Sequence, residues 1–234
     1  MAELRLKGVS QTCPLCRAEL PPGVEGLYEL AMRASMRIQG MVQRGEASWA
    51  SLPAAEREEI EEAIAMLTEA GAQGHAQANY ILGILLREVR QDVDGAEAAY
   101  RAAIAADPGL AEAHYNLGYL LEIERKDVDG AEAAYRTAIA ANPGYAKAHC
   151  NLGLLLENDE RQDTDGAEAA YRAAIAADPG FAEAHTNLGF LLKNERNDVD
   201  GAEAAYRAVI AADPGYAKAH CNLGILLKIG RAHV

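Results

Sequence analysis

Residues 111–145 read AEAHYNLGYLLEIERKDVDGAEAAYRTAIAANPGY, and most of the chain consists of copies of this stretch. AEAHYNLG at 111 returns as AKAHCNLG at 146, AEAHTNLG at 182 and AKAHCNLG at 217, with a looser AQANYILG at 76. AEAAYRTAIAANPG at 131 has partners starting at 96, 167 and 202. Gly83, Gly118, Gly153, Gly189 and Gly224 are 35, 35, 36 and 35 residues apart. A period of this size marks an array of stacked repeats, each one a small unit that buries its apolar face against its neighbours.

Each copy reads as two helices. His114, Leu117, Gly118 and Leu121 share one helical face in the first half. Ala131, Ala134, Tyr135, Ala138 and Ile139 do so in the second. Small residues dominate both stripes, so the helices can approach closely, with Gly118 as the tightest point. Tyr135 and its equivalents Tyr100, Tyr171 and Tyr206 fill the larger gap. Asp129 through Glu132 fit a capping box with Asp129 as the N-cap, repeated from Asp94, Asp165 and Asp200. Pro143-Gly144 and the other Pro-Gly pairs close the second helix in a turn. The 36-residue interval comes from one added residue in the inter-helix loop before Asp165.

On these residues the pattern resembles a tetratricopeptide repeat over residues 76–228. Leu117-Gly118, Ala131, Tyr135, Ala138 and Pro143 match the family's positions. His114 stands where the family has Trp, and Leu121 where it has a later Tyr. The repeat is also about one residue longer than the family's usual 34. Sel1-like repeats are the alternative, suggested by GHAQANYILG at 74, although their Gly-rich inter-helix loop is missing. The resemblance implies an all-α, right-handed superhelical solenoid of stacked antiparallel helix pairs. It also implies a concave groove that binds a protein or peptide.

Residues 1–23 differ from the rest. TCPLCR holds Cys13 and Cys16 in a C-x-x-C, which supplies half of a four-ligand zinc site. The segment resembles the end of a RING finger whose other ligands would lie upstream. On that resemblance the chain is the substrate-recognition arm of a ubiquitin ligase, and zinc is expected only if the finger is completed upstream. Otherwise Cys13 and Cys16 are two reduced thiols on an arm, and no cofactor is expected.

Residues 24–75 read as a degenerate helical pair that caps the array. One helix lies over 24–44 and another opens at Pro53, with Trp49 as an anchor between them. At the other end, residues 229–234 read IGRAHV, which departs from the repeat and is expected to be a non-native tail. Leu223, Leu226 and Leu227 would then lack part of their partner, leaving an end prone to self-association.

The chain has 234 residues and a formal charge of −13, which disfavours nucleic acid and anionic membranes as partners. No apolar run is long enough to span a bilayer, and a cytoplasmic or nuclear setting is the default. No catalytic set stands out. His114, His149, His185 and His220 form a ladder, but helices packed about 8–10 Å apart cannot share one metal ion. Asn116, Asn151, Asn187 and Asn222 form a second ladder, similar to that of the O-linked N-acetylglucosamine transferase repeats, where asparagines hold a peptide backbone. An amide offers both donor and acceptor to a peptide unit. The same residues could instead bond locally or to water. Tyr119, Leu154, Phe190 and Ile225 give an apolar strip beside them. Glu112, Lys147, Glu183 and Lys218 alternate in sign.

Overall fold

In the computed structural model, residues 23–158 and 162–232 are described, residues 229–232 as backbone only. All regular structure among them is helical. The chain divides at Leu120–Leu121 into two compact units.

The first unit contains α1 (Val24–Gln43), a 3-10 turn at Trp49–Ser51, α2 (Ala54–Ala72), α3 (Ala76–Leu85), α4 (Val93–Ala106) and α5 (Ala111–Leu120). A π-helical turn, Leu86–Arg90, extends α3. Helices α1 and α2 pair, as do α3 and α4, and α2 packs on α3. Ile38, Ile60, Ile64 and Leu67 are fully buried between the first pair, with Trp49 packed half-buried against them. Pro53 is the N-cap of α2. His75 caps α3, its Nδ1 accepting from the Ala78 amide at 3.1 Å. Its other ring nitrogen therefore carries the proton, and donates to Glu25 at 3.3 Å while the ring stacks on Tyr28.

The second unit opens with a π-helical turn, Leu121–Arg125, before α6 (Val128–Ala141). It continues with α7 (Ala146–Glu157), α8 (Thr164–Ala177), α9 (Ala182–Asn194), α10 (Val199–Ala212) and α11 (Ala217–Ala232). Helix α11 thus runs four residues beyond Lys228. Helices α7 and α8 pair, as do α9 and α10, and first helices α7, α9 and α11 touch in sequence.

The small-residue stripes do what their spacing predicts. Ala167, Ala170, Tyr171 and Ala174 are the buried face of α8. Gly83, Gly153 and Gly189 of the first helices each lie under the tyrosine ring of the second helix in their own repeat. A Cβ on Gly83, Gly153 or Gly189 would sit 2.5, 2.6 or 2.7 Å from the ring of Tyr100, Tyr171 or Tyr206. Only a residue without a side chain permits that approach.

The capping box needs correction. The N-caps are Asp92, Asp127, Asp163 and Asp198, two residues before the expected aspartates. Each accepts at 2.9 Å from the amide of the glycine three residues on. Glycine occupies that third position because a Cβ on Gly130 would lie 2.3 Å from the Asp127 carboxylate. Glu132 pairs with Arg136 one turn ahead. The same Glu-to-Arg order recurs in the other second helices, at 2.8 Å for Glu97–Arg101 and 2.7 Å for Glu168–Arg172 and Glu203–Arg207. That orientation also suits the helix dipole. Before each cap the chain takes one left-handed residue, Gln91, Lys126, Gln162 or Asn197, at φ of 50–58°.

The histidine ladder belongs to the turns. His114, His149, His185 and His220 donate from Nε2 to the carbonyls of Pro108, Pro143, Pro179 and Pro214 at 2.9–3.0 Å. Each histidine staples the start of a first helix to the turn before it. In the same turns Asp107, Asn142, Asp178 and Asp213 accept from the glycine amides two residues on, at 2.9–3.0 Å.

Candidate functional site

The first helices of the second unit carry a repeated stripe. On α7 it holds Lys147, Asn151 and Leu154, at i, i+4 and i+7, a spacing that keeps one helical face. On α9 it holds Glu183, Asn187 and Phe190. On α11 it holds Lys218, Asn222 and Ile225. Three rows therefore cross the touching helices: charged, amide and apolar.

The apolar row is exposed. Leu154 is 44 % accessible, Phe190 52 % and Ile225 46 %. Such large apolar groups held toward water along one face invite a partner. Leu154 and Phe190 wall a cavity of about 470 Å³ together with Asn187, Asn222, Thr186 and Lys218. Glu157 and Asn158 complete the wall. Asn151 and Ile225 occupy the equivalent register positions on α7 and α11 but do not line this cavity. Asn158 continues the α7 stripe one further turn, at i+11 from Lys147, so extending the periodicity would have found it. Thr186 and Glu157 carry no such signal; they enter through the packing of α9 on α7.

The amides are held in place. Asn187 Nδ2 lies 3.6 Å from the Cys150 sulfur on the preceding first helix. Asn151 Nδ2 lies 3.4 Å from the Tyr135 hydroxyl. The local-bonding alternative is thus met for the amide nitrogens of both. In Asn187 the carbonyl oxygen makes no hydrogen bond among the described residues and stays available as an acceptor. Asn222, half-buried, has no side-chain hydrogen bond within the described residues. The thiol of Cys150 is buried, and that burial pushes its pKa up to about 11. Tyr171 donates to Glu157 at 2.6 Å; burial first, then this bond, holds the phenol above its usual range.

The first unit bears the same register with different chemistry. On α5, Asn116 is half-buried and hydrogen-bonded to Tyr80 of α3. Burial raises the Tyr80 pKa most, Glu112 adds to it, and the Asn116 bond works against both. Tyr119 is 37 % accessible, with the Arg87 guanidinium 5.1 Å above its ring. On α3 the amide position is Ile81 and the apolar position Ile84. These two join Met32, Met36, Trp49 and Glu88 around a cavity of about 240 Å³.

Among the described residues no cluster of three or more His, Cys, Asp or Glu side chains could hold a metal ion. Cys13 and Cys16, the expected half site, lie outside the described residues. No described helix is long and apolar enough to cross a membrane.

The family model described as tetratricopeptide repeat matches residues 54–111, 88–146, 120–180, 152–217 and 191–231. Helix α2, read from sequence as part of a cap, falls inside the first match. The match gives no support to the Sel1-like alternative, nor to a RING-finger resemblance in residues 1–23, which lie outside it. No curated protein sequence matches the chain. Among solved structures, pilF of Pseudomonas aeruginosa is 19 % identical with a TM-score of 0.67, over 88 % of this chain and 86 % of that one. MamA is 24 % identical with a TM-score of 0.58, over 69 % and 93 %. YrrB, a TPR protein with an unusual peptide-binding site, is 24 % identical with a TM-score of 0.57, over 70 % and 84 %. These likenesses place the all-α fold among tetratricopeptide solenoids.

Proposed function

The chain belongs to the tetratricopeptide repeat family, and from that premise we propose that it is a protein-interaction scaffold binding an extended peptide. The peptide lies across the first helices of the second unit, with its backbone on Asn151, Asn187 and Asn222. Asn116 and Tyr119 are the equivalent positions of the first unit. The observation that carries this reading is the cavity itself: Asn187, Asn222, Leu154 and Phe190 face one space of about 470 Å³. A peptide unit needs a donor and an acceptor at a fixed distance from a pocket for its side chain. Asparagine beside an apolar wall supplies both. The peptide-binding site named for YrrB adds a precedent on the same fold.

The test is a peptide array probed with the full chain, followed by titration of any captured sequence. Asn187→Ala with Asn222→Ala should weaken binding about ten-fold or more, since unmaking hydrogen bonds in a desolvated groove costs roughly 1–3 kcal/mol. Helix content, followed by circular dichroism, should not change. Unaltered affinity in the double variant would refute the role of the amides.

A further inference from the structure

The charged row of the second unit has no part in the fold. Lys147, Glu183 and Lys218 are all exposed, and none is in an ion pair among the described residues. Four arginines of the unit are engaged by contrast: Arg136, Arg172 and Arg207 each pair with the glutamate one turn before, and Arg196 holds both Asp165 and Glu168. The row is not remote from the groove either. Lys218 lines the cavity, and both Glu183 and Lys218 act electrostatically on Cys150, which lies behind Asn187. Three unpaired charges alternate plus, minus, plus along the same face as the amides.

Spacing converts that alternation into a sequence requirement. Touching helices such as α7, α9 and α11 lie about 8–10 Å apart. A polyproline II segment advances about 3.1 Å per residue and turns once in three, so its side chains repeat every ~9 Å. Each repeat then meets the same edge of the ligand, three residues further on. Resting on the peptide-groove reading, we infer that the ligand is an extended segment carrying acidic, basic and acidic side chains at three-residue intervals. These stand opposite Lys147, Glu183 and Lys218, while apolar residues between them meet Leu154 and Phe190. The order, not the net charge, is recognised. A uniformly basic peptide, which the overall charge of −13 would attract, meets two lysines and one glutamate here.

Two synthetic peptides of identical composition test this with the full chain. One is Asp-Pro-Leu-Lys-Pro-Leu-Asp-Pro-Leu-Lys; the other, Asp-Pro-Leu-Asp-Pro-Leu-Lys-Pro-Leu-Lys, only blocks the charges. Both are neutral, so general attraction cancels. The alternating peptide should bind about five-fold more tightly at low salt, from the gain of one exposed pair and the loss of one repulsion. The preference should shrink toward unity as salt screens the row. In a Lys147→Glu, Lys218→Glu variant it should vanish. Equal binding of both peptides, abolished by the Asn187→Ala and Asn222→Ala pair, would overturn the charge order and leave the groove standing. Binding of neither peptide would overturn the inference. Binding that ignores both the charge order and the asparagines would overturn the groove reading as well.

Discussion

Replacing Gly153 by alanine should destabilise the protein, although alanine is the better helix former. The parent glycine sits inside α7, where the exchange by itself is worth about 1 kcal/mol in favour of alanine. The new Cβ would lie 2.6 Å from Cε1 and 2.7 Å from Cδ1 of Tyr171. Carbon atoms pack at about 3.5–4.0 Å, so ring and helix must part by roughly 1 Å. The ring has no room to do so. Tyr171 is 0 % exposed, and its hydroxyl is tied to Glu157 at 2.6 Å. Overpacking of this kind costs about 1–3 kcal/mol, which leaves a net loss of about 1 kcal/mol. Gly224 occupies the same place in α11, but a Cβ there meets no heavy atom within 4 Å. Gly224→Ala should therefore stabilise, by up to about 1 kcal/mol. For a chain of this size each kcal/mol moves the melting temperature by about 2–4 °C. The two variants should fall on opposite sides of the parent in melts followed by circular dichroism. Adding Tyr171→Leu to Gly153→Ala should recover part of the loss, because the ring is the obstacle. If Gly153→Ala melts at or above the parent, the glycine–tyrosine contact does not limit packing and the reasoning fails.

Other consequences concern caps, strain and titration. Asp163→Ala removes the acceptor of the Gly166 amide and should cost about 1 kcal/mol, whereas Asp165→Ala should cost less; the reverse order in urea denaturation would reinstate the capping box. Lys126 sits at φ of 58°, so Lys126→Gly should relieve about 1 kcal/mol of left-handed strain, less the extra freedom of glycine in the unfolded chain. Asn197→Gly should gain less, because asparagine already tolerates φ of 53°. Cys150, with its pKa pushed to about 11 from an ordinary 9, should be about one part in a thousand thiolate at pH 8. Alkylation of the native chain at that pH should label the exposed Cys221 and spare Cys150. The folded state holds the Cys150 proton more tightly than the unfolded state does. Its contribution to stability is therefore complete below about pH 9 and is lost as the pH rises toward 11.

The glycine and tyrosine periods identify the helix pairs because size is a property of the residue type. The glycine is legible as the tightest point and the tyrosine as a filler of a larger gap; that the Tyr171 ring presses on Gly153 itself is a finding of the structure. The N-caps could not be separated in the same way. Asp127 and Asp129 are equally good caps by chemistry, and only the left-handed turn at Lys126 decides which one faces the amide of Gly130. The histidine ladder is visible in the sequence, but its bonds to the carbonyls of Pro108, Pro143, Pro179 and Pro214 are not, because a periodic sequence says nothing of where a proline carbonyl points. The three rows are legible as an i, i+4, i+7 stripe on the first helices, along which Leu154, Phe190 and Ile225 are exposed. Less legible was how far the amides bond within the chain. Asn187 reaches Cys150, thirty-seven residues away, a contact that depends on how α9 sits against α7. Thr186 and Glu157 join the cavity for the same reason.

Occupation of the amide row can be followed directly by nuclear magnetic resonance. The side-chain amides of Asn151, Asn187 and Asn222, assigned through single Ala replacements, would be monitored while a captured peptide is titrated in. A bound backbone should shift Asn187 and Asn222 most and saturate with the affinity measured by other means. Amide signals that stay fixed while Ala204 and Ala208 of α10, which line a separate cavity of about 350 Å³ with Arg172 and His185, respond would contradict a peptide held in this groove.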